Sequence, residues 1–274
     1  MSARLPLRVC AVVPVLYDDP APTIASIKQQ TNVSSIIRVA VGSLDRFNQF
    51  KTRGDAEYVF VKPDFSQTSG VRTTAALNSS LCGIDLTQFD YMLRVDADVT
   101  LPQRFVEVNS KLEAALVGES QAMLFSMPTF LKVFSGRFPE GINKEDTYVV
   151  LKLITMGYHV PYWLLPPYAQ RVWGAGKSRR ARLAYFFKNG YDMWKLGFEP
   201  IHVIGDAFMR TVMGYDPWHF FEVLGYFTAL VRREKRYDIA RRVTISQLTR
   251  IFKGVRTTAR FQTIWAGNRE GKHA

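Results

Sequence analysis

Cysteine and histidine are scarce in this sequence, with two Cys and four His among 274 residues. Two cysteines provide no disulfide framework, and without a Cys/His cluster a structural zinc site is not expected. Long apolar runs are also missing, since no segment reaches the roughly 18 apolar residues that a membrane span needs. These absences argue against disulfide-rich, zinc-finger and membrane-spanning classes, and they favour a protein of the reducing cytoplasm.

Acidic residues are outnumbered by basic ones, 24 against 36, so the formal net charge is +12 and the pI is about 9.8. Such a charge favours anionic partners such as phosphates, nucleic acid or an acidic lipid surface. A basic surface that serves only solubility is the alternative. The hydrophobic fraction of 47% is enough for a core, so one large α/β domain with or without an appendage is expected.

Strand-like apolar stretches alternate with helical patterns along the first half of the chain. The predicted strands are residues 7–15, 36–41, 56–63, the stretch between Phe89 and Leu101, and 122–131; the predicted helices are residues 20–31, 69–84 and 101–118. This alternation predicts a mostly parallel sheet with helices on both faces. Ligands of such sheets bind beyond the carboxyl ends of the strands.

Two acids follow one of these apolar stretches, in the segment YMLRVDADVT at residues 91–100. Read as a strand, the segment sends Asp96 and Asp98 to the same face. Neighbouring carboxylates repel each other and lose hydration when they are partly buried. The pattern therefore indicates a compensating group, and a divalent cation is the commonest one.

A second acidic pair stands where a later helix is predicted to begin. Glu145 and Asp146 open the apolar pattern of the segment FPEGINKEDTYVVLKLITMGY. Acids in a first turn complement the helix dipole and cap free N–H groups, which is the structural explanation. The alternative is a catalytic carboxylate.

In their order along the chain, four motifs resemble glycosyltransferase family 2, whose members have the GT-A nucleotide-sugar-binding fold. VVPVLYDD resembles the Pro-x-x-x-acid turn after the first strand, and GVRTTAALN resembles the Gly-x-x-x-x-Arg-Asn helix. VDAD and KED resemble the Asp-x-Asp and Glu-Asp motifs. The resemblance covers roughly residues 7–200, which gives a catalytic domain at 1–200 and a helical C-terminal extension at 201–274.

This resemblance implies an inverting, metal-dependent transfer of a sugar from a nucleotide-sugar to a hydroxyl acceptor. By analogy Asp98 ligates Mg²⁺ or Mn²⁺ directly, and Asp96 contacts the ribose or the metal and its bound water. Asp146 is the implied general base towards the acceptor hydroxyl, and Glu145 orients it or binds the acceptor.

The resemblance also implies a donor-binding set, in which Pro14, Val15 and Asp18 lie against the nucleotide base. Gly70 allows a close backbone approach, and Arg72 reaches the base or the diphosphate. The segment VAVGSLD departs from the family pattern, because Gly42 and Ser43 stand where many relatives have an acid; Asp64 is the substitute contact.

The segment RRARL at residues 179–183 resembles a degraded Gln-x-x-Arg-Trp motif, with Arg182 at the place of the arginine. Diphosphate or lipid-phosphate binding is expected for Arg182, against the alternative of a solvated basic face.

Residues 208–231 are rich in aromatic and apolar side chains, and the basic segment RREKRYDIARR follows them. This combination predicts a helix at the surface of an anionic membrane, where a lipid-linked or saccharide acceptor would be reached from the cytoplasm. Packing on the catalytic domain and a homo-oligomer interface are the alternatives.

Two other functions remain open. A nucleotidyltransferase could use a related sheet, but the chain lacks an N-terminal Gly-rich activation loop. A nucleic-acid-binding protein would suit the basic charge, but no binding motif occurs and the acidic pairs would repel phosphate. No nucleic-acid partner is therefore expected.

Overall fold

The computed structural model describes residues 5–169, 178–213 and 217–252. The chain divides into two compact units, Met1–Val172 and Trp173–Ala274.

The first unit is built around a six-stranded sheet. Its strands in chain order are β1 Leu7–Val15, β2 Val33–Val41, β3 Glu57–Phe60, β4 Tyr91–Val95, β6 Leu116–Glu119 and β7 Ala122–Ser126, while β5 Val99–Thr100 and β8 Tyr168–Ala169 form a separate pair. The spatial order is β3-β2-β1-β4-β7-β6, and the four strands from β3 to β4 are parallel. The predicted α/β class with a mostly parallel sheet is confirmed.

Helices flank this sheet. They are α1 Ala21–Lys28, α2 Leu44–Phe50, α3 Ser69–Leu81, α4 Phe105–Ser110, α5 Met127–Phe134 and α6 Glu145–Thr155. The five consecutive residues from Val9 to Val13 are 0% exposed. Because alternate residues of a strand point to opposite faces, this burial means that both faces of β1 are covered. The continuous apolar sequence of β1 is typical of such a central parallel strand.

The edge formed by β6 and β7 differs from the prediction. A single helix over 101–118 was expected, but α4 ends at Ser110 and Glu113 has a φ of 47°. Residues 116–119 then pair antiparallel with β7 across a two-residue turn. Cross-strand hydrogen bonds outweigh the helical pattern of this segment, and a two-residue connection allows only antiparallel pairing.

The predicted strand over 122–131 is also shorter in the structure. It ends at Ser126, and α5 begins at Met127 with Pro128 in its first turn. Proline has no N–H for a strand ladder but is favourable at the start of a helix, so the strand gives way to a helix here.

The second unit is helical in its described part. Its helices are α7 Arg179–Leu196, α8 Pro200–Val212, α9 Phe220–Val231 and α10 Ala240–Phe252. Helices α7 and α9 pack closely, since a Cβ on Gly190 would lie 1.7 Å from the Glu222 carbonyl oxygen. This contact puts α7 with the C-terminal helices, whereas the sequence placed the boundary after residue 200. Over the described residues, every helix is too short or too polar to cross a membrane.

Candidate functional site

The sheet changes direction between β1 and β4. The chain runs outward from β1 to β3 and then returns to β4 on the other side of β1. Val12 lies opposite Arg94, so both strands end on the same edge of the sheet. In parallel α/β sheets this switch point is where ligands bind, because the two connecting segments leave in opposite directions and open a crevice.

Asp96 and Asp98 occupy a turn at this edge. Strand β4 ends at Val95, and the Val99 N–H donates to the Asp96 carbonyl oxygen at 3.1 Å. The two acids therefore follow the strand, and the strand alternation predicted for them does not apply. Both side chains are partly exposed, with 35% exposure for Asp96, which leaves carboxylate oxygens accessible.

Arg94 is the buried cation of the site, with a side chain only 5% exposed. Its Nη2 donates to Asp96 Oδ1 at 3.3 Å and to Glu145 Oε1 at 3.2 Å, and its Nη1 contacts the Met123 sulfur at 3.3 Å. One guanidinium thus joins the turn after β4 to the first turn of α6. Sequence reasoning missed this residue, although a charged residue inside an apolar strand, two positions before the acids, was a usable signal.

The electrostatics of this cluster depend on burial. Burial raises the pKa of Asp96 to about 6; the Arg94 guanidinium opposes that shift, and the charges of Asp146 and Asp98 add to it. Burial also raises the pKa of Glu145 to about 7, again opposed by Arg94 and increased by Asp146. The mutual influence of these carboxyl groups indicates that the two predicted acidic pairs form one cluster.

Asp146 begins α6 next to the buried Glu145. Its Oδ1 accepts the Thr147 N–H at 2.7 Å and the Thr147 hydroxyl at 3.3 Å. This is the helix-start bonding of the structural explanation, but both bonds use the same carboxylate oxygen. Helix capping therefore does not prevent Oδ2 from accepting a proton from a bound molecule.

Gly70 makes a close approach inside the protein. A Cβ at this position would lie 1.7 Å from the Asn143 carbonyl oxygen and 2.7 Å from Glu145 Oε2. The glycine therefore lets the start of α3 pack against the segment that leads into α6. Sequence reasoning expected the close approach at the nucleotide, whereas the contact here is with backbone and side chain of the chain itself.

The residues predicted to face the base lie at the end of β1. Val15 is buried, and its carbonyl oxygen accepts the Gly42 N–H at 2.8 Å. Pro14 precedes it in the strand, and Asp18 lies partly buried in the bend that follows. These three residues lie at the same edge of the sheet as the acids after β4.

Asp64 lies in the segment between β3 and α3, and Arg72 lies in the first turn of α3. Asp64 Oδ1 accepts the N–H and the hydroxyl of Ser66 at 2.9 and 2.6 Å. The Arg72 guanidinium donates to the Gln67 carbonyl oxygen at 2.7 Å and lies 5.2 Å from the centre of the exposed Phe65 ring. Both predicted residues therefore shape this loop, and their contacts with a nucleotide stay predictions.

Arg182 lies in the first turn of α7 and so belongs to the second unit, apart in the chain from the other predicted residues. Its N–H donates to the Ser178 carbonyl oxygen at 3.0 Å, and its side chain is partly exposed. Phosphate binding by Arg182 stays a prediction.

Glu119 is a further acid near the site, and sequence reasoning did not select it. It ends β6, and the Tyr162 hydroxyl donates to its Oε2 at 3.3 Å. Burial raises the pKa of Glu119 to about 7, the bond from Tyr162 opposes that shift, and the charge of Asp146 adds to it. The antiparallel edge therefore contributes another acid to the surroundings of Asp146.

The donor chemistry suits a small divalent cation that also binds phosphate. Among the described residues, no set of three or more His, Cys, Asp and Glu side chains is arranged to hold a metal on its own. Mg²⁺ is commonly held by one or two carboxylates together with substrate phosphates and water. The partly exposed carboxylates of Asp96 and Asp98 fit a site of this kind, in which the substrate phosphates and water complete the coordination of the cation.

No protein-family model matches the sequence, and no curated protein matches it either. Solved structures that resemble the chain include TarS of S. aureus, with a TM-score of 0.43 and 12% identity over 76% of this chain and 43% of that one. The apo form of the glycosyltransferase GlyE of Streptococcus pneumoniae TIGR4 has a TM-score of 0.34 and 13% identity over 56% of this chain and 45% of that one. A second GlyE structure has a TM-score of 0.32 and 10% identity over the same shares. The chain spans less than half of the length of these structures.

Proposed function

We propose that this chain is a glycosyltransferase that moves a sugar from a nucleotide-sugar donor to a hydroxyl acceptor, with inversion at the anomeric carbon. The observation that carries the proposal is the bridge from Arg94 to Asp96 and Glu145 at 3.3 and 3.2 Å. It links the two acidic motifs that the family resemblance singles out, at the switch point of the sheet.

Asp98 and Asp96 are the proposed ligands of a Mg²⁺ or Mn²⁺ ion. The ion would supply positive charge against the charge that develops on the departing nucleoside diphosphate. Arg94 keeps the Asp96 carboxylate in place through its 3.3 Å contact, so that the cation site is partly formed before the donor binds.

Asp146 is the proposed general base. The acceptor oxygen attacks the anomeric carbon while the bond from that carbon to the diphosphate oxygen breaks, and the acceptor proton moves to Asp146. Attack opposite the leaving group inverts the configuration. The bonds from Thr147 fix Asp146 Oδ1, which orients the second oxygen for the proton.

The donor base is proposed to lie over the end of β1, at Pro14, Val15 and Asp18. Asp64 belongs to the loop after β3 and Arg72 to the first turn of α3, and both would approach the base or the diphosphate from there. Diphosphate or lipid-phosphate binding is the proposed role of Arg182, which lies in the first turn of α7.

A panel of nucleotide-sugars tests the function. The full chain is incubated with each donor and Mg²⁺, Mn²⁺ or EDTA, and released nucleoside diphosphate is measured. Turnover of at least one donor, lost with EDTA, is expected. Release of pyrophosphate from nucleoside triphosphates instead would indicate a nucleotidyltransferase and contradict the proposal.

Asp98→Asn tests the cation site in the same assay. Turnover is expected to fall by about 10²-fold or more, because the negative charge that develops on the departing nucleoside diphosphate would lose the cation that compensates it. Asp45→Asn removes an exposed acid at the start of α2 and is the matched control, with unchanged turnover expected. Equal rates for Asp98→Asn and Asp45→Asn would refute the metal assignment.

A further inference from the structure

Helices α8 and α9 each expose a row of large apolar side chains. On α9 the exposed residues recur at positions i, i+4, i+7 and i+11, which places them on one face: Phe220 50%, Leu224 55%, Phe227 37% and Val231 79%. On α8 the same kind of row consists of Ile201, Ile204, Phe208 and Val212. These eight residues are called the apolar surface below.

The core of the second unit does not account for this surface. Helix α9 packs through its opposite side, where Tyr226 and Ala229 are 0% exposed. The Tyr226 hydroxyl donates to the Phe198 carbonyl oxygen at 2.7 Å. Helix α9 is therefore apolar on both sides, and within the part of the chain that the structure describes it packs through the side of Tyr226 and Ala229. Exposed apolar side chains grouped in this way are typical of a surface that contacts a protein, a ligand or a membrane.

Positive charge lies at both ends of the α9 row. Arg232, Arg233 and Lys235 follow Val231 and are exposed. At the other end, the Arg179 guanidinium lies 4.8 Å from the centre of the Trp218 ring, just before α9 begins.

The acids of the two helices do not offset these cations. Asp206 of α8 pairs with Arg210 at 2.8 Å. Glu222 of α9 is buried and accepts a bond from Asn189 at 2.6 Å. The exposed side of α9 thus combines apolar side chains with flanking positive charge.

We propose that the apolar surface docks on an anionic lipid bilayer, with α8 and α9 lying in the plane of the interface. Apolar side chains would enter the acyl boundary while the flanking cations meet anionic headgroups. A helix of the length of α9 extends about 18 Å, short of the roughly 30 Å hydrocarbon layer, so it lies on the membrane. A second copy of the chain would bring the same positive charge to the contact, whereas anionic lipid complements it.

Flotation with vesicles tests this proposal. The full chain is mixed with vesicles of phosphatidylcholine alone or of phosphatidylcholine with phosphatidylglycerol, at low and high salt. Co-flotation with the anionic vesicles at low salt is expected, with a bound fraction that falls as salt rises. No co-flotation at low salt would overturn the proposal, and this readout is independent of any transfer activity.

Two pairs of variants separate the apolar and the ionic contributions. Leu224→Gln with Phe227→Gln changes the apolar surface, and Leu44→Gln changes an equally exposed leucine of the first unit as a control. Arg233→Glu with Lys235→Glu reverses the flanking charge, and Lys28→Glu with Lys132→Glu, both exposed, lowers the net charge by the same amount elsewhere. Arg236 is left unchanged because its guanidinium stacks on Trp194 at 3.6 Å.

Each test variant is expected to lower vesicle affinity by about tenfold or more, while both controls keep it. Far-UV circular dichroism checks the fold, and the charge variant stands as the second test if the apolar variant fails to fold. Test variants that bind like their controls would overturn the proposal. So would a dimer in sedimentation velocity that Leu224→Gln with Phe227→Gln dissociates while vesicle binding is unchanged, because the surface would then serve a second copy.

Discussion

At the scale of single residues, one guanidinium compensates two acids of the candidate site. Arg94 is 4% exposed and Glu145 is 6% exposed, so both groups have lost most of their hydration. A buried charge without a partner costs several kcal/mol, whereas a paired one is tolerated. The site therefore depends on a residue that contacts its acids without being one of the proposed reacting groups.

Arg94→Met is expected to lower the free energy of unfolding by about 3 kcal/mol, since it leaves Glu145 and Asp96 without their cation. Urea denaturation measures the change. Arg104→Met breaks a solvent-screened surface pair with Glu107 and is the control, with a much smaller loss expected. Equal losses of unfolding free energy in the two variants would show that the buried ion pairs of Arg94 contribute no more to stability than an exposed pair does.

Asp146→Asn separates the proposed base from a helix cap. The asparagine carbonyl can still accept the Thr147 N–H, so α6 and donor binding should be preserved. Turnover is expected to fall by about 10²-fold or more because the amide cannot take a proton at neutral pH. Nucleotide-sugar affinity by calorimetry and initial rates are measured together. A parallel loss of donor affinity and stability would assign Asp146 to the helix cap.

At the scale of secondary-structure elements, the position of α6 depends on its packing against α3. The start of α3 approaches the residues that lead into α6 closely enough that no side chain fits at Gly70. The obstacle is the backbone carbonyl of Asn143, which cannot move as a flexible side-chain end could. The orientation of Glu145 and Asp146 is thus coupled to a glycine that lies against this segment in space but far from it in sequence.

Gly70→Ala is expected to lower the free energy of unfolding by about 1–3 kcal/mol, since the added methyl displaces the start of α6. Turnover should fall with it. Gly205→Ala is the matched control: it lies within α8 with no atom within 4 Å of the added Cβ, so a gain of about 0.5–1 kcal/mol is expected. Thermal and urea unfolding of both variants provide the comparison, and a stabilised Gly70→Ala protein would contradict the close contact.

At the scale of the whole molecule, buried carboxyl groups make stability depend on pH. The unfolded chain releases the Glu119 proton near pH 4.5, while the folded protein keeps it up to a pKa of about 7. Between these values the folded state binds more protons, so the free energy of unfolding falls as the pH rises. The raised pKa therefore favours the folded state in acid and weakens it above neutrality.

Glu119→Gln is expected to remove this dependence. The difference in the free energy of unfolding, variant minus wild type, should rise by roughly 1–3 kcal/mol between pH 4.5 and pH 8. Urea denaturation at each pH measures it. Glu107→Gln is the control of opposite sign, because the bond from Arg104 lowers the pKa of Glu107 to about 2. Its charge stabilises the fold above pH 4.5, so this variant should lose stability near neutrality. Parallel pH profiles of stability for the two variants would contradict the opposite pKa shifts of Glu119 and Glu107.

The sequence by itself determined the local features of this protein. The apolar run of β1 specifies a central buried strand, because every residue from position 9 to position 15 is apolar. The acids in the first turn of α6 were placed correctly, since helix starts have short-range signals, whereas Asp96 and Asp98 were expected within a strand and lie in the turn that follows β4. The four motifs remain a resemblance to a family. The metal and the general base that this resemblance implies stay predictions, which the proposed experiments test.

Only the tertiary structure decided what those features contact. The bond from Arg94 to Glu145 joins residues 51 positions apart, and no periodicity of either segment encodes it. The strand at 116–119 exists because β7 offers hydrogen-bond partners that override a helical pattern, and Glu119 reaches the site through that pairing. Helix α7 belongs to the second unit because its glycine fits against α9. In each case the deciding energy comes from contacts between distant segments, which short-range sequence patterns do not contain.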